Sequence, residues 1–106
     1  MWQAVVDDWR TAPLRPELSA TLAFLEKQTL RPEELTAADA EAVYAAGVSS
    51  QALRDAALVC ALFNVIVRLA DALGWEIPPP EAFAARGRVL LESGYKLRTA
   101  EEIRAL

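Results

Sequence analysis

The chain is 106 residues long, 54% of them apolar, and carries a formal net charge of −4 with one cysteine and no histidine. That length suits one domain with its own core. The composition excludes a Ser-His or Cys-His couple, an internal disulfide, and a zinc or iron–sulfur site built within this chain. No metal or cofactor is therefore expected. The acidic balance, with arginines scattered among acids, argues against a nucleic-acid face.

Ala, Leu, Glu and Arg dominate and β-branched residues cluster only in the middle, which predicts an all-α fold. Trp2 to Arg10 reads as a short first helix stopped before Pro13. There is no basic stretch in MWQAVVDDWR, so no signal peptide is expected and the cytoplasm is the default location. Pro16 opens a second helix, PELSATLAFLEKQT, with Leu18, Leu22 and Leu25 at helical spacing and Phe24 alongside. Pro32 interrupts it. LTAADAEAVYAAG forms a third helix, with Thr36 as N-cap, Asp39 three residues on in a capping-box position, and Gly47 as the stop.

Ser49 or Ser50 then caps a long helix over about 50–73, ended by Gly74. Ile77 to Pro80 is an extended joint. Glu81 to Ser93 gives a fifth helix closed by Gly94, and Thr99 to Glu102 begins a capped final turn.

The long helix contains a run without charge, Ala56 to Val67, whose polar side chains are Cys60 and Asn64. Twelve uninterrupted residues are short for a membrane span of roughly 20, and Arg54, Asp55, Arg68 and Asp71 bound the run, so no membrane partner is expected. A helix this long crosses a domain of this size. Apolar residues on every side imply burial on every side. A few short helices do not supply that cover, so a second subunit or another part of a longer protein is expected to complete it.

Within this helix Phe63, Asn64, Arg68, Leu69, Ala70, Asp71, Ala72, Leu73 and Gly74 stand in one register. They follow an APL segment, a Thr-Leu-Arg-Pro stretch and the turn AAGVSS, and precede EAFAARGRVLLESGYKL. In this order the chain resembles, from about Val5 to Leu97, the C-terminal half of peroxidase-related members of the alkylhydroperoxidase AhpD-like, carboxymuconolactone decarboxylase-like family. The stretch from Phe63 to Gly74 is its specific part. The family pattern has a second asparagine where this chain has Val67.

The resemblance implies an AhpD-like helical bundle, completed as a homo-oligomer. It also implies redox chemistry on a Cys-x-x-Cys-x-x-x-His segment with an upstream glutamate, in which one thiolate attacks the peroxide and the second resolves the sulfenic acid. None of that segment is present. In the family it precedes the region matched here. The chain is therefore expected to be inactive alone: either one half of a longer protein or a short member without the catalytic half.

Cys60 is the one candidate nucleophile. It lies mid-helix between Val59 and Ala61 with no basic residue within a turn, which favours a packed thiol over a reactive one. Asn64 lies one turn later on the same face and is expected to fix how helices dock rather than to line a substrate pocket. Arg68 and Asp71 pair with each other or across an interface. Trp2 and Trp9, seven apart, share a helix face and cover the core or a partner. Asp7-Asp8, Glu33-Glu34 and Glu101-Glu102 read as solvated surface.

Three functions follow. The first is the structural and oligomerisation core of a hydroperoxide-reducing family member whose catalytic half lies elsewhere. The second is a non-enzymatic self-associating module. The third is a one-cysteine thiol enzyme through Cys60.

Overall fold

The structure is a computed structural model and describes residues 2–95 and 99–105. It is all-helical, with no strand among the described residues. Helices α1 (Trp2–Asp8), α2 (Pro16–Leu30), α3 (Ala37–Ala45) and α4 (Ser50–Leu73) belong to one compact unit, Met1–Leu73. Helices α5 (Pro80–Ser93) and α6 (Ala100–Arg104) belong to a second, Gly74–Leu106. Lys96 and Leu97 of the family-like tail lie outside the described residues.

Local chemistry sets the helix ends. The first helix stops at Asp8, two residues earlier than expected, because Asp8 turns the chain. Its carboxylate accepts the Arg10 backbone N–H at 3.1 Å, and its carbonyl accepts both the N–H and the hydroxyl of Thr11 at 3.2 Å. Such local bonds compete with helix continuation. Pro16 and Pro80 each sit in the first turn of their helices, where a missing N–H costs nothing. Between α2 and α3, Pro32–Glu34 forms one 3-10 turn.

Thr36 caps α3, and its backbone N–H donates to Asp39 Oδ2 at 2.8 Å. Gly47 follows α3 at φ 100°, a conformation that favours glycine, and reverses the chain toward α4. There the Ser49 hydroxyl accepts the Ala52 N–H at 3.0 Å, so Ser49 is the cap. Gly74, at φ 63°, ends α4.

In the first unit, α2 packs on α3 and α4, and α3 touches α4. The core lies where the three meet, with Val43 at 2% and Leu53 at 4% exposure. Lys27 of α2 is clamped to Asp39 of α3 at 2.8 and 3.0 Å. The Lys27 ammonium, followed by the Thr36 backbone N–H, holds the Asp39 carboxyl below its ordinary value of 3.8.

Helix α4 spans roughly 36 Å at about 1.5 Å per residue, and within its own unit α2 and α3 cover one side of it. Leu53, Ala57, Cys60 and Asn64 recur at steps of four, three and four and face inward; all are at least partly buried. Leu58, Leu62, Val65 and Leu69 recur at the same steps on the opposite side and are exposed, Leu62 at 56%. The expected burial on every side is thus not provided within this unit. Nine large apolar side chains of α4 remain exposed. Their remaining burial would contribute on the order of 10 kcal/mol, comparable to the whole stability of a small domain.

By length and composition α4 is also apolar enough to cross a membrane, with a window of mean hydropathy 2.0. Counting the charge-free run alone understates this, because Arg54 and Arg68 flank it with side chains long enough to reach water.

Two stability measurements follow. Leu53→Ala is expected to cost about 2–4 kcal/mol in urea unfolding followed by circular dichroism, whereas Leu91→Ala, at an exposed site on α5, should cost under about 0.5 kcal/mol. The depressed Asp39 carboxyl contributes stability that is present above 3.8 and is lost as pH falls through its folded value. The wild type should therefore lose its advantage over Asp39→Asn as pH drops below 3.8, and an advantage unchanged by pH would contradict the clamp.

Candidate functional site

The seam between α2 and α4 brings Cys60 and Asn64 together with two residues that periodicity alone does not single out, Gln28 and Thr29. Asn64 Nδ2 donates to Thr29 Oγ1 at 3.1 Å and lies 3.5 Å from Cys60 Sγ. Thr29 Oγ1 and Cys60 Sγ are 3.3 Å apart, either of them donating. Gln28 Nε2 donates to the Ala57 carbonyl at 3.0 Å, while Gln28 Oε1 is buried with no hydrogen-bond partner. Small side chains at Ala57 and Cys60 let the two backbones approach, and the Thr29–Asn64 bond then fixes one register.

The other candidate residues lie elsewhere. Arg68 turns back along its own helix, and its Nη1 donates to the Asn64 carbonyl at 3.1 Å. Asp71, exposed, forms no ion pair among the described residues. Phe63 is 59% exposed. Trp2 and Trp9 do not share a helix face, because α1 ends before Trp9. Trp2 is 72% exposed, whereas Trp9 is half-buried and its indole N–H donates to Glu26 Oε2 at 2.8 Å. Arg10 joins them: its guanidinium pairs with Glu26 and its Cζ stands 5.0 Å from the Trp9 ring centroid. Trp9, Leu22, Leu25 and Thr29 border a shallow groove of about 340 Å³.

Of the adjacent acids, Asp8 pairs with Arg10 and Glu34 with Arg31, while Asp7 accepts from Gln3. The side chain of Glu102 lies outside the described residues. No cluster of metal-ligating side chains occurs among the described residues.

Chemically the seam offers one thiol with two neutral hydrogen-bond partners. The chain has no second thiol and no imidazole, and among the described residues no carboxylate lies within hydrogen-bond reach of the sulfur. That arrangement can specify packing. It cannot complete a two-thiol redox cycle. Comparison with known protein families, with characterised proteins and with solved structures finds no match to this chain.

If Thr29 and Asn64 act as one unit, their effects are coupled. Thr29→Val and Asn64→Ala should each destabilise by about 1 kcal/mol, and the double variant by clearly less than the sum. Additive losses in urea titrations would show that the bond does not set the register.

Proposed function

We propose that this chain is a non-catalytic helical core of the AhpD-like, carboxymuconolactone decarboxylase-like type, whose role is to build an assembly. The observation that carries this reading is the orientation of α4: its small and polar residues are packed inside the unit and its bulky apolar side is left open.

The family resemblance from Phe63 to Gly74 falls on the same helix. It supports the family assignment, and the missing Cys-x-x-Cys and histidine support a structural rather than an enzymatic role. Where such a core belongs to a hydroperoxide-reducing protein, the thiol pair comes from outside these 106 residues. A self-associating module unconnected with peroxide chemistry rests on the same open face. The mass of the protein isolated from its natural source separates the two. A mass clearly above 11.6 kDa favours the half of a larger enzyme, and a mass equal to it favours the module.

The catalytic part of the proposal has its own test. With a dithiol donor and an organic hydroperoxide, the chain should give no turnover above the uncatalysed rate. Reduction that rises in proportion to protein and vanishes in Cys60→Ser would reject the non-catalytic reading and make Cys60 a nucleophile.

A further inference from the structure

We infer that the cleft between α2 and α3 is a binding site for a small organic acid, an apolar body carrying one carboxylate. This goes beyond the assembly reading and does not depend on it. The cleft lies within the first unit and encloses about 280 Å³, at the lower edge of the range for small-molecule sites.

Side-chain size opens it. Helices α2 and α3 pack on one another, yet Ala20 and Ala23 on one side and Ala42 on the other line the space between them with single methyl groups. Phe24 and the buried Val43 complete an apolar wall. Such a wall favours a ligand with an apolar body, whose burial drives binding.

Hydrogen-bonding capacity selects the ligand's polar end. An ammonium has three N–H donors, and a guanidinium has five. Lys27 Nζ directs at most two of its donors to Asp39, at 2.8 and 3.0 Å. Arg31 Nη1 donates to Glu34 Oε2 at 3.1 Å. Asp39, the one carboxylate of the lining, already accepts from Lys27, from the Thr36 backbone N–H at 2.8 Å and from the Thr36 hydroxyl at 3.2 Å. The surplus is therefore on the donor side, and a carboxylate is a group that only accepts.

Charge agrees. Lys27 and Arg31 line the cleft against the single carboxylate of Asp39, so the lining is net positive and a monoanion is its complement. The Arg31–Glu34 pair is 54% and 51% exposed. An exposed pair contributes little, so the guanidinium can turn onto a ligand carboxylate and grip it with two N–H groups. Asp39 is held ionised by Lys27 and Thr36, and in return it fixes the Lys27 ammonium at the rim before any ligand arrives.

Benzoate is a suitable probe, followed by proton–nitrogen NMR spectra of the full chain. Benzamide serves as the neutral isostere and inorganic phosphate as an anion without an apolar body. Benzoate is expected to bind in the millimolar range, with shifts centred on the backbone amides of residues 20–31 and 39–43. Benzamide and phosphate should each bind about tenfold more weakly or worse. Arg31→Gln, at an exposed position, should weaken benzoate by about tenfold with circular dichroism unchanged. Ala23→Leu, also exposed, should fill the cleft and abolish binding with helicity retained, while Arg54→Gln on α4 should leave the affinity as it was.

No benzoate-dependent shifts, shifts centred elsewhere, equal binding of benzamide or phosphate, or an affinity untouched by Arg31→Gln and Ala23→Leu would overturn the site. None of these results would alter the outcome of the mass and hydroperoxide measurements that test the assembly reading.

Discussion

The rotation of α4 about its own axis is the constraint on which the rest of the molecule depends. Leu53 anchors it in the small core with Val43, and one turn beyond, Ala57, Cys60 and Asn64 continue the same face along α2. Once that face is inward, the four-residue stripe from Leu58 to Leu69 must be outward, because the two sets interleave at helical spacing. A rotation by half a turn would bury the leucines but leave Asn64 without Thr29 and Gln28 Nε2 without the Ala57 carbonyl. Burial alone would favour that rotation in an isolated chain. The hydrogen bonds and the close approach at small residues favour the observed one.

This gives the two polar residues of the apolar run a physical role. A helix with leucine at positions 60 and 64 would be bulky and apolar all round, and nothing would distinguish its faces. Cys60 is small enough for α2 to come near, and Asn64 is polar enough to require a particular partner. Together they break the rotational degeneracy.

Much of the fold was legible in the sequence because its boundaries are set by residues with local rules. Pro16, Thr36 with Asp39, Ser49, Gly47, Gly74 and Gly94 act through their own backbone or their nearest neighbours, and each stands at or beside a helix end. The early stop of α1 was less legible, since Asp8 has to turn its carboxylate onto Arg10 for the helix to end there. The packing of α4 was hidden for a different reason. The most apolar side chains of that helix do not mark its packed face, so apolar periodicity points away from the observed inward direction. The signal lay in side-chain size, with Ala57, Cys60 and Asn64 opposite Leu58, Leu62 and Val65. Thr29, Gln28 and Glu26 were invisible as site residues because their roles come from what another segment brings to them.

The same size pattern bears on why α4 can satisfy a membrane criterion and still belong to a packed helical core. A spanning helix needs apolar length and has no need for an inward face that differs from its outward one. Here the first half of α4 is sorted by size, with α2 held on the small side by side-chain hydrogen bonds. The second half, past Asn64, carries Val65, Ile66, Val67, Leu69 and Leu73 all exposed, and its charges, Arg68 and Asp71, lie off the leucine stripe. A protein partner entering along that stripe meets leucine and valine first and leaves both charges at the flank, in water. Polar contacts within the chain fix which side is presented, and on the proposed reading the apolar area left on that side would supply the energy of assembly.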